Sequence, residues 1–206
     1  MIVTCSYLSK SDSLGKFIWA DVFPDKFEDY KYGFNSSFSI DNLQNIYRLS
    51  YNGILNDLDP GPDTFYLTNP IPFKINSAIS KLNSDGNFLW AKKFISPKSN
   101  LIIAIENDNN DNIFIVGSFR DTINFGTEAN QIIYTSDNLF DNNYTTKLDK
   151  NGNHIWSYII KNRTNLYNKI ICDSSDNLHY IGTYKEKQIL IIVWIVFIYR
   201  PIQKYL

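Results

Sequence analysis

The sequence predicts an all-β protein assembled from internal repeats, and three observations support this. First, a lysine, a polar turn ending in glycine and a tryptophan recur at one spacing, as Lys10, Gly15 and Trp19, as Lys81, Gly86 and Trp90, and as Lys147, Gly152 and Trp156. Each glycine lies five residues after its lysine and each tryptophan nine after it, while the copies recur every 66 to 71 residues. Second, an Asp four residues before an Asn stands between successive tryptophans, at Asp41 and Asn45, Asp108 and Asn112, and Asp173 and Asn177. Third, no amphipathic helical pattern appears in the first 185 residues, whereas short β-branched runs such as Leu101–Ile105 and Ile113–Val116 are frequent. A long-period repeat decides architecture ahead of local propensity.

Each motif reads as a hairpin. The Asp…Asn clusters are turn chemistry, because Asp and Asn tolerate positive φ and bond their own backbone. Asp85-Gly86 and Asn151-Gly152 are the dipeptides of two-residue hairpin turns, in which both central residues need φ > 0. Two hairpins per period make a four-stranded antiparallel unit. In the period ending at Trp156 the strands are expected at 100–106, 111–119, 143–149 and 153–160. The link from Arg120 to Asn142 is expected to hold one short strand at Thr122–Phe125. The corresponding link in the preceding unit runs from Asn52 to Asn76.

Tandem four-stranded units are the blades of a β-propeller, whose radial packing protects the sheet edges. The expected division is a half blade at 1–23, a blade at 34–95, a blade at 100–160, a half blade at 167–184, and a non-repeat tail at 185–206. These make an incomplete β-propeller of about three blade equivalents, fewer than the four to eight of closed rings. A fragment of a larger protein, or a chain that needs further blades or another chain to close a ring, is the expectation. Within the tail, residues 189–199 are eleven apolar residues in a row, short of the roughly 17 to 25 that span a bilayer as a helix. A buried element, a membrane-associating segment and a frameshift or truncation product compete for this tail.

Gly-Asn-Phe-Leu-Trp-Ala-Lys-Lys-Phe (86–94), Asp-Asn-Ile-Phe-Ile-Val-Gly-Ser-Phe (111–119) and Asp57-Leu-Asp-Pro-Gly resemble the SBBP (seven-bladed β-propeller) repeat over about residues 5–184. The match is poorest at 24–35, where a charged aromatic insert replaces the pattern. The resemblance implies a propeller fold, a scaffolding or binding role, and a parent protein at the cell surface or outside the cell. It brings no catalytic residue set.

Composition narrows the partners. The net charge is −1 with charges interspersed, so nothing resembles a nucleic-acid footprint. The N-terminus has neither the basic region nor the apolar stretch of a signal peptide. Cys5 and Cys172 each fall in an expected strand and read as inert thiols. Abundant Asn is read in part as a compositional bias and given little functional weight.

The candidate sites are few. The tryptophans read as packing between units, with ligand stacking as the rival. The Lys-to-Trp motif is also similar to the tryptophan-docking motif of quinoprotein dehydrogenases, but Asp149 lies three residues before Gly152 and no Thr is present. Asp57, Asp59 and Asp63 alternate as a calcium loop does, yet lack the EF-hand Gly and Glu, and Pro60 and Pro62 suit a rigid loop. No other cofactor is expected. His154 and His179 have no Ser, Cys or metal-ligand companion at a fixed spacing. Sequons begin at Asn35, Asn143 and Asn162.

The expected function is a non-enzymatic propeller scaffold that recognises a protein or carbohydrate through the 52–76 and 120–142 links. The rivals are a propeller enzyme of quinoprotein or lyase type and a non-functional truncated gene product.

Overall fold

The computed structural model describes residues 6–23, 37–52, 57–66, 76–127, 129–136, 141–160 and 166–183, and every regular element among them is a β-strand. Residues 1–5 with Cys5, the 24–35 insert, the sequons at Asn35 and Asn162, and the 185–206 tail with its 189–199 run lie outside the described residues.

The strands form antiparallel sheets in chain order. A first hairpin pairs β1 (Ser6–Ser11) with β2 (Phe17–Phe23). The central sheet is a meander of β3 (Phe38–Ile40), β4 (Ile46–Asn52), β5 (Asn76–Leu82) and β6 (Phe88–Phe94). The third sheet is a second meander of β7 (Ser99–Asn107), β8 (Ile113–Arg120), β11 (Asn142–Leu148) and β12 (His154–Ile160). Between β8 and β11 the chain makes a separate small hairpin of β9 (Thr122–Asn124) and β10 (Ile133–Thr135). A last hairpin pairs β13 (Leu166–Cys172) with β14 (Leu178–Thr183). The strands of the third sheet fall within two residues of the expected ranges. The expected strand at Thr122–Phe125 is present as β9, but its partner β10 was not legible, because a three-residue strand carries no periodicity.

The six turns inside these hairpins share one geometry, and it differs from the expected two-residue turn. Each starts at an Asp or Asn (Asp12, Asp41, Asn83, Asp108, Asp149, Asp173) whose backbone N–H donates to the carbonyl four residues on, at 2.8–3.0 Å. The N–H of the fourth residue donates back to the carbonyl of the first at 2.9–3.1 Å. Only that fourth residue has positive φ: Gly15, Gly86 and Gly152 at +80° to +89°, and Gln44, Asp111 and Asp176 near +62°. This is a type I turn closed by a bulge, with three loop residues rather than two. Its stabiliser is the first side chain. Oδ1 of Asn83, for instance, accepts the N–H groups of Asp85 and Asn87, both at 2.9 Å. Asp108 does the same for Asn110 and Asn112, at 2.9 and 2.8 Å. The capping side chain thus satisfies the donors that the bulge leaves unpaired.

Successive sheets pack face to face, and the core consists of the three seams between them. Phe23, Ile46 and Leu82 are buried between the first hairpin and the central sheet. The largest cluster lies between the central and third sheets, where Tyr47, Leu49, Ile79 and Phe94 meet Ile102, Ile115, Tyr144 and Leu148, with Phe125 beside β9. Ala104, Phe114, Val116 and Ile170 fill the seam between the third sheet and the last hairpin.

Candidate functional site

The repeated lysines and aspartates meet. Lys81 Nζ lies 3.3 Å from Asp41 Oδ2, and Lys147 Nζ lies 2.7 Å from Asp108 Oδ2, with both carboxylates almost wholly buried. The lysine of the second hairpin therefore neutralises the capping aspartate of the first hairpin in the same sheet. Each ammonium also sits 4.7 Å above an aromatic ring, of Tyr47 or Phe114, which lie at equivalent positions. Burial alone would raise the Asp41 carboxyl, but hydrogen bonds from Asn45 and the charge of Lys81 outweigh it and hold it below the usual range. Asp108 is likewise raised by burial but lowered further by Lys147 and Asn112. In the last hairpin His179, at the position equivalent to Tyr47 and Phe114, has its Nε2 2.9 Å from Asp173 Oδ2.

The same residues join one unit to the next. Asn42 N–H donates to Asp111 Oδ1 and Asn109 N–H to Asp176 Oδ1, both at 2.9 Å. Their side-chain amides donate to the carbonyls of Asn109 and Ser174. On the other set of turns, Lys10 Nζ donates to the Ser84 carbonyl at 2.9 Å and Lys81 Nζ to the Lys150 carbonyl at 3.4 Å. One contact pattern is thus repeated between successive units. The asparagines here join one unit to the next through backbone and side-chain hydrogen bonds.

The tryptophans lie in the seams. Trp19 Nε1 donates to the Ser84 carbonyl at 3.3 Å, and its ring would lie 3.6 Å from a Cβ on Gly86. A Cβ on Gly152 would fall 3.2 Å from the Trp90 ring. Trp156 packs beside Phe114, with ring centroids 6.0 Å apart, against the last hairpin. Each covers the following unit, which leaves the motif as a packing device instead of a shared ligand platform.

Two of the calcium candidates accept backbone hydrogen bonds. Asp57 Oδ1 accepts the N–H groups of Asp59 and Phe65, at 3.1 and 2.8 Å, and Asp59 Oδ1 accepts that of Gly61 at 2.8 Å. Asn124, one period later, accepts the equivalent N–H groups of Gly126 and Ile132 through its amide oxygen, both at 2.9 Å. A neutral amide thus makes the same backbone hydrogen bonds as Asp57. Among the described residues no group of three or more His, Cys, Asp or Glu side chains is placed to hold a metal ion.

One polar cluster breaks the apolar pattern of the seams. A bulge in the β11–β12 ladder puts His154 and Ser157 on the same face, with His154 Nε2 2.8 Å from Ser157 Oγ. Ser157 Oγ donates to Thr146 Oγ1 at 2.8 Å, which donates to the Trp156 carbonyl at 3.1 Å. The tautomer of His154 decides which of the two groups donates in the Nε2–Oγ contact. The imidazole stacks on Phe125, centroids 6.0 Å apart. Burial, then the charge of Lys92, lowers the His154 pKa. Lys92 Nζ donates to the Gly152 carbonyl at 2.7 Å, and burial lowers its own pKa. The corresponding positions in the central sheet are Phe88 and Ala91. The expectation that His154 lacks a serine companion is therefore corrected. A spacing of three on a strand normally separates the side chains, and the bulge reunites them.

Cys172 is a half-buried free thiol in β13, its pKa pushed up to about 11 by burial and neighbouring carboxylates. The sequon at Asn143 lies in β11 with its side chain buried. No protein-family model matches the chain, and no curated protein resembles it.

Proposed function

We propose that the chain is a run of β-propeller blades of SBBP type that serves as a non-enzymatic recognition scaffold, exposed on or outside the cell. The observation that carries this reading is the repeated inter-unit contact, in which Asn42 engages Asp111 as Asn109 engages Asp176. One rotation applied repeatedly to a four-stranded unit generates a ring. The two links supply the recognition surface. Phe125 anchors one link in the central seam and Leu58 is buried in the other, while Tyr66 and Ile133, one period apart, present exposed apolar side chains.

The ligand class is a protein or carbohydrate surface. A glycan array probed with the labelled full chain is expected to show binding that the double substitution Tyr66→Ser and Ile133→Ser removes. Binding that survives the substitution overturns the link assignment.

The His154–Ser157 contact favours hydrolysis as a second reading. Labelling by a fluorophosphonate probe that Ser157→Ala abolishes would decide for the enzyme.

A further inference from the structure

The two links rest on different rings. Phe65 of the first link packs on Phe88, with ring centroids 4.9 Å apart, and Phe125 of the second stacks on His154 at 6.0 Å. Phe88 and His154 hold the same place in their sheets, opposite Leu82 and Leu148. One link is therefore seated on a ring that stays neutral and the other on a ring that can take up a proton. Phe125 is fully buried and also meets Phe94, Tyr134 and Tyr144, which makes it the apolar anchor of the β9–β10 hairpin.

We propose that charging His154 in mild acid loosens the β9–β10 hairpin, while the 57–66 link stays docked. The imidazole is half-buried in the central seam, and Ser157 is its only hydrogen-bond partner among the described residues. Once both ring nitrogens carry protons, Nε2 donates to Ser157 and Nδ1 must find water. The surrounding charges add to this. Lys92 of β6 acts on the ring with its ammonium held on the Gly152 carbonyl at 2.7 Å, whereas Lys93 alternates to the other face of that strand. Asp149, in the turn between β11 and β12, is engaged by Asn151 and Asn153 through both oxygens. Lys147 of β11 is turned to Asp108 on the opposite face of its sheet. Neither β9 nor β10 carries a charged side chain, and Tyr134 is their one titratable group.

A proton on His154 thus sets a second cation near Lys92 in a partly apolar seam. The ring escapes by turning out to water, which uncovers Phe125. Phe125 offers the charged ring a π-face, but a centroid distance of 6.0 Å is the outer limit of that attraction. Under the first link the place of Lys92 is taken by Asp21, which lies against Gly86, so that link has neither the titrating ring nor the lysine. The loosening stands on this geometry, whereas its consequence, a link that releases its ligand in acid, rests on the function proposed above.

Amide hydrogen exchange of the full chain tests the switch, with rates corrected for the intrinsic effect of pH. Between pH 7 and pH 5 the protection of the Phe125 and Ile132 amides, bonded to Ile132 and Asn124, should fall about tenfold, the factor that a one-unit pKa difference between docked and released histidine gives. The Leu58 and Phe65 amides, bonded to Phe65 and Asp57, should keep theirs. His154→Phe should hold the hairpin at both pH values, as should His154→Gln, a neutral variant that can still bond Ser157. Lys92→Met should move the midpoint of the change to higher pH. Loosening that persists in both His154 variants, equal loosening of the two links, or tighter protection in acid overturns the proposal. A hairpin that loosens as expected in a chain that binds nothing on the glycan array at pH 7 overturns the recognition reading instead.

Discussion

The inner sheets and the end hairpins use the same residues in different surroundings. Asp108 is sealed against Lys147, whereas its counterpart Asp173 stands partly in water beside His179. Gly86 and Gly152 lie under the tryptophans of the preceding unit, whereas a Cβ on Gly15 would meet nothing within 4 Å. Val116 is buried and Ile181 is exposed. The motif therefore builds a turn wherever it occurs, but burial, and with it most of the free energy, is conferred by the neighbouring unit.

The sharpest way to break this contrast is to hollow the central seam. Phe125 packs against Phe94, Tyr134 and Tyr144, so Phe125→Ala is expected to cost about 3–5 kcal/mol in denaturant unfolding. Ile171→Ala, on an exposed position of the last hairpin, should leave the midpoint nearly unchanged. Next comes the buried ion pair. Asp108→Ala strands Lys147 and uncaps a turn, and should cost about 3 kcal/mol or more. Asp173→Ala should shift the thermal midpoint much less. Equal losses at the two aspartates would contradict the role given to the neighbouring unit.

Smaller effects sharpen the comparison. Gly15→Ala meets only the left-handed backbone penalty, about 1–2 kcal/mol. Gly152→Ala meets that penalty and the Trp90 ring as well, so its loss in thermal unfolding should be the larger. The smallest effect is the pH dependence from His154. Its folded pKa lies below the ordinary 6.5, so its neutral form is favoured by folding. The associated stability is complete above about pH 6.5 and declines as the pH falls from there towards the folded pKa. His154→Phe, the residue found at position 88, should flatten the slope of melting temperature between pH 7 and pH 5. An unchanged slope would assign it to other groups.

Much of the site was legible because turns are local. The Asp-to-Asn spacing of four, and the spacing of three from Asn83 or Asp149 to its glycine, mark hydrogen bonds that close within one turn. The two-residue turn expected at Asp85-Gly86 was wrong because dipeptide identity alone does not reveal that Asn83 caps a longer loop. Asp57, a calcium candidate in the sequence, accepts backbone hydrogen bonds in its link, a role that residue type alone does not reveal. The equivalence with Asn124 shows that role only after the links are superposed.

By itself the sequence determined the all-β class, the Asp…Asn turns and the place of each hairpin except β9–β10, because backbone bonds over a few residues depend on local identity. Only the tertiary structure decided that Lys81 neutralises Asp41, that the tryptophans cover the next unit's glycines, and that a bulge brings His154 to Ser157. Those contacts form between strands or sheets far apart in the chain, and their geometry follows from packing and register, which no single spacing encodes.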